Sequence, residues 1–305
     1  MKKLLSLLAI PILLTGCGSN NSKADDIVDD KDVEEVEPAS VKVVVLAGQS
    51  NMEGNTYASF LINHFSGDKV NEYINGYSSS KIVWNNAWGN YKHINPYVNI
   101  KIGQGVDEMH FGPELGIAEA IDQENKEETI YFIKFGWGGS NMNHQWRSPS
   151  SGETGPIWPA FIEFVKDSLA ILELQNLNPK ICALCWMQGE SDQDSEAIAN
   201  NYYSRLCDFV KDFRETFDKY AAGPGIGFVD ALINKSYVLP FSDIINDAKR
   251  RFAETSVINV LVDSLAFNIS YDKEPAGSVD IWHCDSDGMI ELGHAYAELL
   301  LEYFI

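Results

Sequence analysis

From residue 41 to the C-terminus, short apolar segments alternate with longer amphipathic ones, and this alternation is the strongest constraint on the fold. The short segments are rich in β-branched residues and are apolar at successive positions, which is typical of strands buried on both faces. Five segments have this character: Val41–Ala47, Thr129–Phe135, Lys180–Met187, Gly225–Leu232 and Val257–Val262. Helical patterns lie between or after them, at Glu114–Gln123, Phe161–Leu174, Glu196–Phe217, Asp243–Glu254 and Met289–Phe304. We predict an α/β domain over residues 41–305, with a five-stranded parallel sheet covered by helices on both faces.

The first sixteen residues have the pattern of a secretory signal. Lys2 and Lys3 precede an apolar run that is too short to span a bilayer, which needs about 20 apolar residues. Residues 14–17 read Leu-Thr-Gly-Cys and resemble the lipobox of bacterial lipoproteins. That resemblance implies that Cys17 is lipidated and becomes the new N-terminus, and that the protein is exported and anchored to the outer membrane or cell surface. An ordinary cleaved signal is the alternative.

Residues 17–40 are predicted to form a flexible tether that begins at the lipidated Cys17. Residues 18–40 contain eight acids and two lysines and almost no large apolar side chain. Such a segment cannot bury enough surface to offset the entropy lost on ordering. The whole chain has a formal net charge of −21. Because nucleic-acid affinity comes from clustered cations, this sign argues against a nucleic-acid partner.

Two further features have no obvious catalytic part. The stretch Asn55–Gly112 is aromatic, rich in Asn and Gly, and weakly periodic, so we interpret it as an insertion near the site. Cys182 and Cys185 form a C-x-x-C pattern, but they lie within a predicted strand, where residues three apart point to opposite faces. Burial in the core is therefore favoured over a zinc or redox site.

Polar motifs follow the predicted strands or the loops after them. In open α/β sheets, ligands bind beyond the carboxyl ends of the strands. Four motifs are expected at this edge: Gly48–Met52, Gly136–Ser140, Gln188–Asp192 and Asp280–His283. Together they supply a hydroxyl, a small-residue turn, an amide donor and an acid–histidine pair, which are the parts that serine hydrolysis needs.

The same motifs resemble the conserved blocks of SGNH-type hydrolases, and they are most similar to the sialate O-acetylesterase and carbohydrate esterase family 6 branch. The matching blocks are AGQSNMEG, FGPELG, WGGS, WMQGESD and DIWH, followed ten residues later by LG. The resemblance runs from about residue 43 to the C-terminus. It implies a flavodoxin-like three-layer α/β/α fold and hydrolysis of an ester.

Carried over by position, the resemblance implies a role for each catalytic residue. Ser50 is the expected nucleophile, His283 the general base and Asp280 the acid that orients it. The oxyanion hole is expected to consist of the Ser50 and Gly139 backbone N–H groups and the Gln188 side chain. Taken from the residues alone, Ser50 is also compatible with a helix N-cap, and other groups compete for the base and acid roles: His64, His93, His110, His144, His294, Glu190, Asp192 and Asp285.

Several side chains near these motifs are candidates for substrate binding, namely Gln49, Asn51, Glu190, Trp137, Trp146 and Trp282. A tryptophan is more often part of the core, but these three flank site motifs and one or two are expected to stack on a sugar. Glu190 is equally compatible with scaffolding. Arg147 would suit an acidic sugar or a surface ion pair.

The predicted activity is removal of O-acetyl groups from a carbohydrate through an acetyl-enzyme, with no metal or organic cofactor. Two alternatives stay open. One is a lipase, thioesterase or peptidoglycan acetylesterase on the same scaffold, and the other is a non-catalytic glycan-binding surface lipoprotein. Excess acid in the folded part slightly favours a neutral acetylated glycan over a sialylated one.

Overall fold

The computed structural model describes residues 37–85, 97–124, 128–235, 238–267 and 269–305. The predicted signal segment, Cys17 and nearly all of the predicted tether lie outside these residues. Pro38–Ile305 forms one compact unit, and its first strand begins at Ala39, two residues before the predicted start. Within the described ranges, no helix is both long and apolar enough to cross a bilayer.

The strands of the described chain form one large sheet and one small one. In chain order they are β1 Ala39–Gly48, β2 Thr56–Tyr57, β3 Tyr77–Trp84, β4 Val98–Ile100, β5 His110–Phe111, β6 Ile130–Gly136, β7 Leu177–Met187, β8 Gly227–Ala231 and β9 Asn259–Val262. β2 and β5 pair as a separate antiparallel ribbon. The five predicted strands correspond to β1, β6, β7, β8 and β9, so the prediction of an α/β fold built on these strands is confirmed.

Helices follow or precede the strands as the apolar periodicity predicted. They are α1 Ser50–Glu53, α2 Gly67–Asn75, α3 Glu114–Glu124, α4 Ile157–Leu174, α5 Glu196–Thr216, α6 Ser242–Ala253 and α7 Ser286–Tyr303. Three short 3₁₀ turns cover Ala58–Asn63, Pro149–Ser151 and Asp218–Tyr220. The five long predicted helices agree with α3 to α7 to within four residues at each end.

The predicted strand count of five is wrong, because the large sheet has seven strands. Their order is β4-β3-β6-β1-β7-β8-β9, and β4 alone is antiparallel to its neighbour within the described sheet. The two additional strands come from the stretch that was interpreted as an insertion. β3 begins with Tyr77-Ser78-Ser79-Ser80, and its buried Ser79 hydroxyl donates to Asp122 at 2.9 Å. Since this half of β3 is polar, it lacks the apolar run that identified the other strands.

Successive residues of β1 contact opposite sides of the sheet, which produces two apolar cores. Val43, Val45 and Ala47 belong to the core beneath α4, α5 and α6. Val44 and Leu46 belong to the core beneath α3 and α7. The result is the three-layer arrangement that strands apolar on both faces require.

The α3–α7 layer depends on a close approach between two glycines. Gly116 of α3 and Gly293 of α7 lie at the crossing. A methyl group added at Gly116 would lie 2.3 Å from the Ile290 carbonyl oxygen. The FGPELG and LG motifs are therefore the contact between these helices, and α7 is the helix that follows the histidine loop.

Cys182 and Cys185 are both buried on β7 and carry free thiols. Burial raises the pKa of both thiols. Among the described residues, no cluster of His, Cys, Asp and Glu has the arrangement of a metal site.

Candidate active site

Ser50 lies in a tight turn at the carboxyl end of the central strand β1. The Gln49 N–H donates to the Met187 carbonyl at the end of β7, and α1 begins at Ser50. Ser50 is 8% exposed and lines an open cavity of about 330 Å³. Its backbone N–H has no acceptor among the described residues, so it remains available to a ligand.

His283 lines the same cavity from the loop before α7, and Asp280 pairs with it from that loop. The His283 Nδ1 lies 2.6 Å from the Asp280 Oδ2, and the Trp282 N–H donates to the Asp280 Oδ1 at 3.0 Å. Partial burial alone would raise the pKa of Asp280, but the hydrogen bonds from His283 and Trp282 outweigh it and hold that pKa below its ordinary value. The carboxylate is therefore ionised and orients the imidazole.

His283 and Ser50 both line the cavity, although no hydrogen bond joins them within the described residues. The Asp280 contact occupies the Nδ1 of His283 and leaves the Nε2 without a protein partner in this part of the chain. Catalytic hydrogen bonds are often long before substrate binds and shorten in the complex. The arrangement accordingly suits a serine whose proton is taken by His283 once a substrate fills the cavity.

The backbone of the histidine loop is held by two buried acids. Asp285 accepts the N–H groups of Asp272, Lys273 and Glu274 at 3.2, 3.2 and 2.9 Å. Glu274 in turn accepts the Ser286 N–H at 2.6 Å. Asp285 was a rival for the orienting acid, and the structure instead uses it to shape the loop, because its carboxylate is occupied by backbone donors.

Asn51 connects the serine turn to the histidine loop. Its side-chain amide donates to the Glu190 Oε1 at 2.9 Å and to the Trp282 carbonyl at 3.1 Å, and its oxygen accepts the Cys284 N–H at 3.2 Å. Asn51 is fully buried. The prediction that it binds substrate is therefore wrong for this structure, since every polar atom of the side chain is used internally.

Gly139 meets one requirement of an oxyanion donor, a place in the lining of the cavity that contains Ser50. Its φ angle of 67° lies in the left-handed region that favours glycine, and it lines the cavity beside Ser50. Its N–H has no acceptor among the described residues. Ser50 and Gly139 thus bring two unpaired backbone N–H groups to the lining of one cavity.

Gln188 does not take the position predicted for it. Its Nε2 lies within hydrogen-bonding distance of the Gln49 Oε1, the Ser140 carbonyl and the Asp192 Oδ2, at 3.1, 3.0 and 2.7 Å. The side chain is fully buried and does not line the Ser50 cavity. We therefore correct its role from oxyanion donor to a brace between the β1 and β7 turns. Its two N–H bonds are already directed at buried acceptors.

Asp192 was another rival for the acid, and it too holds backbone. Its carboxylate accepts the Met142 and Asn143 N–H groups at 2.8 and 2.9 Å in addition to the Gln188 amide. Burial raises the pKa of Asp192 to about 6, even though these hydrogen bonds lower it. The residue secures the segment after Gly139 rather than the imidazole.

Glu53 is a site residue that the sequence reasoning missed. It is 6% exposed, lines the cavity, and accepts the Gly138 N–H at 2.8 Å. Burial raises its pKa, and the contacts with Gly138, Asn55, Lys134 and His283 oppose that rise. Its position three residues after Ser50 in a helical turn puts both side chains on one face, and this spacing was the available clue.

The three tryptophans that were candidates for stacking on a sugar lie in different environments. Trp282 is 46% exposed and lines the cavity. Trp146 is fully buried in the core, with its indole N–H donating to Ser140. Trp137 is partly buried against the same core and does not line the Ser50 cavity. The prediction for Trp146 is wrong, because its ring is enclosed by the core. Stacking of Trp137 on a sugar stays a prediction.

The remaining candidates divide between the cavity and its surroundings. Gln49 lines the cavity, while its Oε1 accepts the N–H groups of Gly189 and Ser191, both at 3.3 Å. Arg147 donates to the Ser151 carbonyl and lies outside the cavity. His294 lies near the Glu119 carboxylate, at 3.0 Å, in the α3–α7 layer. A larger cavity of about 620 Å³ lies beside Ile281 but contains neither Ser50 nor His283.

This fold and site place the chain among the SGNH-type hydrolases. The family model described as carbohydrate esterase, sialic acid-specific acetylesterase matches residues 40–302, and the chain belongs to that family. It is accordingly a carbohydrate esterase. Among proteins with curated descriptions, none matches this sequence significantly.

Solved structures show the same fold at low sequence identity. A protein from Arabidopsis thaliana is 18% identical with a TM-score of 0.61, and the alignment covers 87% of this chain and 100% of that one. NanS is 15% identical with a TM-score of 0.60, covering 88% and 98%. XAC1771, a carbohydrate acetylesterase from Xanthomonas citri, is 11% identical with a TM-score of 0.56, covering 86% of this chain and 56% of that chain.

Proposed function

We propose that this protein is a serine esterase that removes O-acetyl groups from a carbohydrate. One observation carries the proposal: Ser50, the Asp280-paired His283 and the free Gly139 N–H all line a single cavity. Membership of the carbohydrate esterase family supports the substrate class, and the structures of NanS and XAC1771 support the fold.

In the first half-reaction, His283 takes the hydroxyl proton of Ser50 as its oxygen attacks the acetyl carbonyl carbon. The carbonyl oxygen becomes an oxyanion, and the Ser50 and Gly139 N–H groups donate to it. The bond between the carbonyl carbon and the sugar oxygen then breaks, and protonated His283 gives its proton to that oxygen. The sugar leaves with a free hydroxyl, and acetyl-Ser50 remains.

In the second half-reaction, water replaces the sugar. His283 takes a proton from the water as it attacks the acetyl carbon, and the same oxyanion donors act again. Collapse of the intermediate breaks the bond to the Ser50 oxygen, which receives the proton from His283. Acetic acid leaves and ionises to acetate by losing its remaining proton to solvent water. Asp280 keeps the imidazole oriented throughout because its hydrogen bond to Nδ1 is made before substrate arrives.

Ser50→Ala is the direct test of this mechanism. We expect the variant to keep its circular dichroism spectrum and to lose release of p-nitrophenol from p-nitrophenyl acetate. Ser191→Ala is a matched control, because Ser191 also lines the cavity but has no histidine partner in the mechanism. Turnover by Ser50→Ala near the wild-type rate would refute the assignment of the nucleophile.

The acyl group is proposed to be acetyl because the family model that matches residues 40–302 describes an acetylesterase. Esters with chains of two to twelve carbons measure this preference. We expect a sharp maximum of kcat/KM at two carbons. A maximum at eight or more carbons would identify a lipase or thioesterase on the same scaffold.

We also propose that the protein is exported and held on the bacterial envelope by a lipid on Cys17. The support is the basic, apolar and small-residue order of residues 1–16 followed by Leu-Thr-Gly-Cys at 14–17. The wild-type chain should take up radiolabelled palmitate and sediment with membranes. Cys17→Ser should do neither, and labelling that persists in this variant would contradict the proposal.

A further inference from the structure

A second cavity, of about 380 Å³, adjoins the Ser50 cavity, and Trp282 lines both of them. A narrow recess shares Asn55 and His283 with the Ser50 cavity and shares Tyr57 with the second one. The two cavities are therefore neighbours along the histidine loop. The volume of each lies within the range of about 300–1,000 Å³ that is usual for small-molecule sites, so the second cavity is large enough for a ligand of its own.

Exposed apolar side chains cluster around this second cavity. Ten large apolar side chains are exposed in the described residues, and three of them line it: Tyr57, Val279 and Trp282, at 40%, 41% and 46%. Single exposed apolar residues need no explanation, whereas a cluster in a concave site indicates a place where a ligand binds. Ser278 and Asp280 supply the same lining with polar groups. This mixture suits a sugar ring, which has apolar C–H faces and hydroxyl groups at its edge.

The two aromatic residues of this lining are held in place before any ligand binds. Tyr57 pairs with His110 in the β2–β5 ribbon, and the centroids of their rings lie 4.3 Å apart. Trp282 is fixed at its backbone, because its N–H donates to the Asp280 Oδ1 and its carbonyl accepts the Asn51 amide. A contact surface that is already positioned loses little entropy on binding. Both residues can therefore contact a ligand at low cost.

The proposed mechanism defines which ligand reaches this second cavity. The acetyl carbon lies at the Ser50 oxygen during catalysis, so the sugar that carries the ester extends outward from the Ser50 cavity. Trp282 borders that cavity and the second one alike. The next sugar of a chain would pass Trp282 and lie against Tyr57 and Val279. A free monosaccharide would leave these exposed surfaces unused.

We infer that the second cavity is a subsite for a sugar that is glycosidically linked to the acetylated one. The preferred substrate is thus an O-acetylated oligosaccharide or polysaccharide, and a free acetylated monosaccharide is a poorer substrate. The inference rests on the proposed esterase function and names its substrate class. It applies equally to sialylated and neutral glycans, because it concerns the linkage of the acetylated sugar rather than its charge.

Pairs of compounds that present one acetylated sugar either free or linked test the inference. One pair is 9-O-acetyl-N-acetylneuraminate and sialyllactose with the same acetylated residue. The other is methyl 2-O-acetyl-xyloside and methyl xylotrioside acetylated at the same position of its central sugar. In the pair that the protein hydrolyses faster, we expect kcat/KM for acetate release to be about tenfold or more higher for the linked compound, because additional apolar surface is buried.

The variants Tyr57→Ala and Val279→Arg remove the subsite in different ways. The first takes away an aromatic ring, and the second fills the cavity with a long side chain. Each should lower the ratio of linked to free kcat/KM several-fold. Tyr303→Ala and Val257→Arg are the matched controls, since Tyr303 and Val257 are exposed and line neither cavity. Their ratios should equal that of the wild type.

Circular dichroism and turnover of the free sugar check that each variant folds, and the ratio removes any general loss of activity. Equal kcat/KM for the linked and free compounds in the wild type, or wild-type ratios in both subsite variants, would overturn the inference. Release of acetate from neither linked compound would overturn it too, even where p-nitrophenyl acetate is still hydrolysed. Loss of p-nitrophenyl acetate turnover in the wild type would instead remove the proposed function itself.

Discussion

The Asp280 Oδ2 lies 2.6 Å from the His283 Nδ1, and the two residues are three positions apart in one loop. This hydrogen bond is present without a substrate, and Asp285 and Glu274 accept backbone N–H groups of the loop. The His283 nitrogen facing the cavity is thereby left free of protein contacts within the described chain. Asp280 therefore orients the imidazole while Asp285 and Glu274 bind the loop backbone, so substitutions can test these two roles separately.

Asp280→Asn should reduce kcat on p-nitrophenyl acetate by on the order of a thousandfold. The amide keeps the shape of the carboxylate but cannot stabilise the imidazolium or select the same tautomer. Steady-state kinetics and thermal unfolding measure the two effects separately. Asp218→Asn, on the exposed surface, is the control, and an Asp280→Asn rate within a few-fold of the wild type would exclude Asp280 as the orienting acid.

Trp282→Ala should raise KM for acetylated oligosaccharides by about tenfold, while kcat/KM for p-nitrophenyl acetate changes less than about twofold. The exposed indole offers a sugar-sized apolar face, and the small aromatic ester does not need it. The Trp282 backbone contacts with Asp280 and Asn51 do not depend on its side chain. Equal effects on both substrates would mean that the ring supports the loop rather than the sugar.

Gly116→Ala should destabilise the protein by about 1–3 kcal/mol, because the added methyl meets the Ile290 carbonyl in a close-packed helix contact. Gly67→Ala is the matched control. A methyl group at Gly67 has nothing within 4 Å, and alanine is the better helix former, so that variant should be neutral or slightly stabilised. Urea unfolding measures both, and equal stabilities would show that α3 and α7 can move apart freely.

Asp192→Asn should change how stability depends on pH. Burial raises the pKa of Asp192 from 3.8 to about 6, so between these values the folded state binds the proton and the unfolded state does not. This group therefore makes stability fall as pH rises from about 4 to 6, by up to about 2–3 kcal/mol. In the variant that contribution disappears.

The unfolding free energies of the wild type and of Asp192→Asn are measured at each pH. Their difference removes the contributions of the other titrating groups, which both proteins share. Asparagine also weakens the contacts with the Met142 and Asn143 N–H groups, which should lower stability by about 1–3 kcal/mol. The wild type should thus exceed the variant in unfolding free energy by more at pH 4 than at pH 7. A gap that does not vary with pH would show that Asp192 titrates normally.

Strand predictions succeeded where burial on both faces produced an apolar run, as in Val43–Ala47 of β1. They failed for β3, because its first half buries serines whose hydroxyl groups find partners such as Asp122 from α3. A polar residue is compatible with burial once a partner is supplied, and the partner here is remote in sequence. No local pattern indicates it.

The predictions for the site residues also succeeded for some residues and failed for others. The motifs and the family resemblance identified Ser50, Asp280, His283 and Gly139 as one set. Ser50, His283 and Gly139 do line a common cavity, and Asp280 is hydrogen-bonded to His283. Asn51 and Trp146 were predicted to bind substrate and Gln188 to donate to the oxyanion, and the structure uses all three side chains internally. Side chains in one motif point in different directions, and the direction of each depends on packing across several strands.

By itself the sequence determined the alternation that makes a parallel α/β sheet and the strand ends at which chemistry-bearing residues meet, because both follow from local periodicity and chain order. Tertiary structure decided which polar atoms are used up within the protein and which are left for a ligand. It left the Gly139 N–H unpaired among the described residues, while every polar atom of the Asn51 side chain is bonded. Hydrogen bonds between residues far apart in sequence make that difference, and only the folded chain brings them within reach.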